Sequence, residues 1–139
     1  MDLDIDALEA SFDLLAPRGD ELVETFYARL FAAAPAVRPL FGTDLRRQRA
    51  MLLQALALVR RSLRDLDALV PVLHALGARH VAYGARPEHY PVVADTLIAT
   101  MAELAADAWS QRYALAWERA LGVIAGAMLA GAAEAPLAA

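Results

Sequence analysis

The sequence contains no cysteine. That absence removes disulfides, thiolate metal sites, cysteine nucleophiles and thioether attachment of a cofactor together. Glycine and proline are sparse, seven each in 139 residues, while hydrophobic residues make up 59% of the chain, so neither disorder nor low-complexity linkers fit the composition. An excess of positive charge is missing too. With a formal charge of -4 and a pI near 5.3, the chain offers no basic stripe to a phosphate backbone, and nucleic acid is excluded as a partner. Met1 is followed by Asp2, Asp4 and Asp6 rather than by a basic and then an apolar region, the wrong start for a secretory signal, so a cytoplasmic location is expected. The uncharged run from Leu121 to Ala133 falls short of the roughly 20 residues a bilayer span needs. It is read as a buried helix, with no membrane partner.

Strand signals are also lacking: no alternating Val/Ile run and no Asn-Gly turn occurs. What remains is helical periodicity with regular punctuation, in a length that suits one all-α domain over residues 1–139. Ile5, Leu8, Phe12 and Leu15 predict a helix that stops before Pro17. A second helix starts near Gly19, carries Leu22, Phe26 and Leu30 beside Val23, Tyr27 and Phe31, and ends at Pro35. "PAVRPLFG" reads as a short helical corner delivering Phe41. Thr43 or Asp44 caps the next helix, whose inward face is Leu45, Leu52, Leu56, Val59 and Leu63. After a break at Asp65–Asp67 another helix runs to Gly84, with Pro71 tolerable only near its first turn. A fifth starts near Pro87 or Tyr90 with Val93, Leu97 and Met101 on one side. The last begins after Ser110 with Tyr113, Trp117, Leu121 and Ile124, and the tail from Ala130 is expected to fray. The count is six principal helices and one short one.

No HExxH, paired acidic cluster or Gly-rich loop after a strand is present, so hydrolytic zinc, nucleophilic and nucleotide chemistry lack their parts. His80 stands out because it shares an apolar helical face with Leu73, Leu76 and Gly77. Taken alone, such a histidine is a hydrogen-bonded core residue more often than a ligand. His74 lies on a different side of the same helix and is expected to be solvated, so the two make no metal pair. Other polar residues sit on apolar faces in the same way. Gln48 is the polar member of the face Leu45, Leu52, Leu56, and Tyr27 interrupts the stripe of the second helix. Met101, Trp109 and Trp117 are read as packing residues.

These features, in the order "TFYARLF", "PAVRPLF", "LGARHVAYGARPEHYP" and "AW...GVIAGAM", resemble the globin family, and within it bacterial single-domain globins and the globin domain of flavohaemoglobins. The resemblance runs from about residue 5 to residue 130. It implies a globin fold around haem b. His80 then corresponds to the proximal axial ligand of the iron and Phe41 to the corner phenylalanine against the porphyrin. Tyr27 and Gln48 correspond to the distal pair, with Leu52 over the ligand; a slipped register would bring Met51 there instead. Leu76, Arg79, Tyr83 and Tyr90 are further candidates for the haem pocket, Arg79 as a propionate partner and Arg46 and Arg47 more remotely. Tyr90 corresponds to a tyrosine that in flavohaemoglobins joins the proximal histidine and a glutamate in a network, but this chain has Ala132 at the glutamate position, and Glu134 should point elsewhere. His89 is assigned to the loop.

The expected chemistry follows from that resemblance. One neutral imidazole holds the iron, its other N–H oriented by a carbonyl about one turn back, while a phenol and an amide stabilise a diatomic ligand on the opposite side. The expected function is reversible binding of O2, with NO and CO. Nitric oxide dioxygenase activity is the alternative and would draw on a separate reductase. A gas sensor or a haem-free helical interaction module would be other uses of the fold, and a monomer or weak homodimer is the expected state.

Overall fold

The Asp4 side chain accepts the Ala7 N–H at 3.2 Å and so starts α1, Ile5–Leu15. The computed structural model describes residues 2–134, and among them there is no strand. After α1 come α2 (Gly19–Ala33), α3 (Leu45–Ser62), α4 (Leu66–Ala82), α5 (His89–Ala105) and α6 (Gln111–Ala133). Short 3-10 turns join them at Ala16–Arg18, Pro35–Phe41 and Ala106–Ala108; the first and last of these add to the one short helix read from the sequence. Capping explains several boundaries. Asp44 accepts the Arg47 N–H at 3.1 Å to start α3, which chooses Asp44 over Thr43, and Ser110 accepts the Tyr113 N–H at 3.2 Å to start α6.

Three expectations need correction. The break between α3 and α4 is shorter than Asp65–Asp67, because α4 already begins at Leu66. Pro71 therefore lies in the second turn, where its ring nitrogen cannot donate to the Asp67 carbonyl. The run Leu121–Ala133 is buried on one face only: Met128 and Gly131 are buried, whereas Gly122, Gly126 and Ala130 are exposed. By length and composition α6 is apolar enough to cross a membrane, which the shorter uncharged run alone does not reveal; here it docks on α4, α5 and α1. The tail stays helical to Ala133, and residues 135–139 lie outside the described residues.

The core sits where α1, α2, α5 and α6 converge. Leu8, Phe26, Leu30, Met101 and Trp117 are almost fully enclosed there. One polar thread crosses it: the Trp117 indole N–H donates to Ser11 Oγ at 2.8 Å, and that hydroxyl donates to the Ala7 carbonyl at 2.7 Å. This satisfies the buried indole and serine without water.

Helices α4 and α6 approach closely at two reciprocal points. A Cβ on Gly77 would overlap the Met128 carbonyl, and a Cβ on Gly131 would overlap the backbone of His74. Only glycine permits this backbone-to-backbone contact. The same contact leaves His74 half-buried rather than solvated.

Candidate functional site

Helices α3 and α4 leave a three-residue turn and diverge, and burial along their facing sides records the divergence. Leu63, which caps the end of α3, and Val59 and Leu56 within it are 3%, 8% and 5% exposed, but Leu52, Gln48 and Leu45 further along the same face are only half-buried. On α4, Leu69 and Leu73 are buried, Leu76 and His80 half-buried, and Tyr83 is 51% exposed. The closed end of this V is packed with leucines around a cavity of about 20 Å³ against α6. Its open end presents apolar side chains from two sides.

His80 occupies the α4 wall. Its Nδ1 lies 2.7 Å from the Leu76 carbonyl, one turn back. A carbonyl can only accept, so Nδ1 carries the hydrogen, and the lone pair is on Nε2. The end of α4 is held just beyond. The Ala85 N–H donates to the His80 carbonyl at 3.0 Å and the Gly84 N–H to the Val81 carbonyl at 3.1 Å. This Schellman closure needs a residue at positive φ, and Gly84 supplies it at 90°. The Tyr83 ring meets the imidazole edge-on at 5.4 Å between centroids.

The opposite wall is built from α2, the Pro35–Phe41 corner and α3. Tyr27 stands in an aromatic cluster, 5.0 Å from Phe26, 5.8 Å from Phe31 and 5.5 Å from Phe41, and Phe31 and Phe41 are themselves 5.5 Å apart. The Arg38 guanidinium covers the Phe31 ring at 5.1 Å. Locked by these contacts, the Tyr27 hydroxyl donates to the backbone carbonyl of Gln48 at 3.4 Å. The sequence leads one to expect the Gln48 side chain as its neighbour. Instead the partner is main chain, a group no residue-type pattern can signal. Burial pushes the Tyr27 hydroxyl up to about 12, so it remains a proton donor across the physiological range.

The structure thus brings Tyr27, Phe41 and Gln48 together on one wall and Leu76, His80 and Tyr83 on the other. Leu52 lies one turn beyond Gln48 on the cleft face of α3. Met51 is 46% exposed. Arg79 is exposed beside His80. Tyr90 lies half-buried in the first turn of α5, where burial raises its hydroxyl pKa. Among the described residues it shares no hydrogen bond with His80, whose Nδ1 is taken by Leu76. His89 accepts the Arg86 N–H on its Nδ1 at 3.0 Å and so serves the loop. Glu134 is exposed at the end of α6. Sequence reading missed the glycine pair that joins α4 to α6; the only signal was a glycine, Gly77, inside an apolar helix.

Chemically, the arrangement offers one imidazole lone pair at the edge of an apolar cleft, facing a phenol and an amide. Among the described residues no three His, Asp or Glu side chains converge to enclose a bare metal ion. A single imidazole suits a metal that arrives with its own equatorial ligands on a flat apolar frame.

Known proteins are similar to this chain in sequence and in fold. The family model described as Globin matches residues 24–128. Flavohemoprotein of Bacillus subtilis is 29% identical over 128 residues, which is 90% of this chain and 32% of that protein. Flavohemoprotein of Vibrio cholerae is 30% identical over 119 residues, 84% of this chain and 30% of that one. The chain therefore spans about a third of the length of these relatives. Among solved structures, a bacterial globin from Campylobacter jejuni superposes with a TM-score of 0.82 at 24% identity, covering 94% of each chain. An engineered carbene transferase, derived from a candidate nitric oxide dioxygenase of Rhodothermus marinus, gives 0.84 at 25% identity, covering 94% of this chain and 91% of that one.

Proposed function

The chain belongs to the globin family, and from that premise we propose that it holds haem b through His80 Nε2 and binds O2 reversibly, with NO and CO as further ligands. The observation that carries this reading is the short contact between His80 Nδ1 and the Leu76 carbonyl. The Nδ1–H is committed to that carbonyl at 2.7 Å, which leaves the lone pair available on the cleft side. The residues present fit the group. Leu52, Leu76, Phe41 and Tyr83 provide half-buried or exposed apolar surface that a porphyrin would cover, and Arg79 stands beside the ligand histidine to meet a carboxylate.

Ferrous haem supplies the metal position at which a diatomic gas coordinates. The protein does the rest. His80, oriented by Leu76, would hold the iron, and the glycine seam between α4 and α6 supports that orientation. Tyr27 keeps its proton because it is buried, and its 3.4 Å bond to the Gln48 carbonyl is long enough to be exchanged for a better acceptor inside the cleft. The Gln48 side-chain amide can add a second donor. Leu52 and Phe41 limit access of water, and each hydrogen bond to the ligand contributes about 0.5–1.5 kcal/mol.

The test is an absorbance spectrum of the protein reconstituted with haem. A Soret band that is lost or strongly shifted in His80→Ala is expected; no band, or one indifferent to that change, would sink the proposal. Replacing Tyr27 by Phe and Gln48 by Leu should speed O2 release by about tenfold or more, measured by stopped flow. An unchanged off-rate would remove both from the distal role.

The likeness to the Rhodothermus protein favours a second reading, nitric oxide dioxygenation, in which NO and O2 give nitrate and a reductase restores the ferrous state. Repeated turnover on adding NO under a continuous supply of reductant supports it. A single stoichiometric oxidation leaves gas binding alone.

A further inference from the structure

All thirteen basic residues of this chain are arginines, and they are unevenly placed. Between Pro35 and Arg86, the stretch that contributes both α3 and α4, nine arginines stand against three acidic residues, Asp44, Asp65 and Asp67. The rest of the chain carries four arginines and fourteen acidic residues. An acidic protein has therefore concentrated its positive charge on the elements that wall its cleft.

Ion pairing neutralises only some of these arginines; Arg61, exposed near the end of α3, forms no ion pair among the described residues. Towards the closed end, Arg60 pairs with Glu9 and Asp13, and Arg64 with Asp6 and Glu9, so α1 neutralises them. At the open end the situation is reversed. Arg46, Arg47 and Arg49 lie in the first turns of α3, and Arg79 and Arg86 lie at and just after the last turn of α4. None of the five forms an ion pair among the described residues, and all but Arg49, which is half-buried, are exposed. Because α3 and α4 leave one short turn, the start of the first and the end of the second both lie at the end of the pair away from that turn. The acidic groups nearby are Asp44, whose carboxylate is used to cap α3, and exposed Glu88.

We propose that Arg46, Arg47, Arg49 and Arg86, with Arg79 left to meet a haem carboxylate, are the docking surface for an acidic electron-carrier protein that reduces the iron. The proposal rests on the haem reading above. One electron passes from the reduced flavin or iron–sulfur centre of the carrier to ferric iron, which becomes ferrous; no bond is made or broken. Opposite charge on this surface orients the carrier so that its redox centre approaches the cofactor, and such steering raises encounter rates by about 10- to 1000-fold at low salt. The acidic remainder of the protein repels an extended anionic surface such as a membrane, so the positive end suits a compact acidic partner.

The experiment uses oxidised flavodoxin as the acidic probe, titrated by calorimetry into the haem-loaded and the haem-free protein, followed by reduced flavodoxin mixed with the ferric protein and monitored at the Soret band. Affinity and reduction rate should both fall about tenfold between about 20 and about 300 mM salt. Arg46→Glu/Arg47→Glu and Arg86→Glu should each weaken both by about fivefold or more at low salt. Arg119→Glu, on the exposed side of α6 and equal in charge change to Arg86→Glu, should leave them unchanged. Salt-independent binding, or equal effects of Arg119→Glu and Arg86→Glu, overturns the proposal. So does arginine-dependent binding to phosphatidylserine vesicles without binding to flavodoxin. Calorimetry on the haem-free protein keeps failure of docking separate from failure of haem binding.

Discussion

The two sides of α4 are built on opposite terms. Behind, it meets α6 with backbone against backbone at Gly77 and Gly131, a contact so close that no side chain fits between. In front, beyond Leu73, it parts from α3 and leaves His80, Leu76 and Tyr83 against a cleft. The difference teaches how a histidine can be held accurately beside an apolar opening. Rigidity comes from the rear of its helix, and the front is left open.

Breaking the rear contact should have the largest effect. Gly77→Ala places a methyl group on the Met128 carbonyl and forces the helices apart, at a cost of about 3 kcal/mol or more in a urea titration. A loss below about 1 kcal/mol would show that the seam is not tight. Next come matched truncations of the haem-free protein. Leu73→Ala, at a buried position, should cost about 2–4 kcal/mol, whereas Leu52→Ala in the open cleft should cost under about 1.5 kcal/mol and should instead shorten haem retention. Equal costs would erase the distinction between packed and open faces. On α6 itself the contrast between faces can be sharpened with a glycine that touches nothing. A Cβ at Gly126 meets no atom within 4 Å, so Gly126→Ala should stabilise the protein by up to about 1 kcal/mol, opposite in sign to Gly77→Ala.

At neutral pH the smallest effect concerns the Tyr27 hydroxyl, which is held up at about 12 in the folded state and matters only in alkali. Its stabilising contribution is complete below the unfolded value near 10 and is lost as pH rises towards 12, because the unfolded chain ionises first. Tyr27→Phe should therefore flatten part of the decline in stability over that interval, seen by thermal melts at stepped alkaline pH. Tyr90 is raised in the same direction by burial, and a residual slope in Tyr27→Phe belongs to it.

Much of the fold was legible because its signals are short in range. Asp44, Ser110 and Gly84 act on N–H and carbonyl groups within five residues of themselves, and each marks a real helix end. Pro71 misled for the opposite reason. Its cost is local, but the packing of Leu69 and Leu73 outweighs it and lets α4 begin early. For the candidate site, the residue types Tyr27, Phe41, Gln48 and His80 were visible as polar or aromatic interruptions of apolar faces. Two of their partners were not, because the Leu76 and Gln48 carbonyls have no side-chain signature.

By itself, the sequence determined that this chain is helical, where its helices end, and that one histidine, one tyrosine and one glutamine lie on otherwise apolar faces. Periodicity and capping operate within a few turns, so a linear string contains them. Tertiary structure alone decided that α4 is pinned to α6 through two glycines more than fifty residues apart, and that Tyr27 donates to the main chain of Gln48. Each of these depends on how segments distant in the chain are brought together, and close approach in space is not written in the neighbourhood of any one residue.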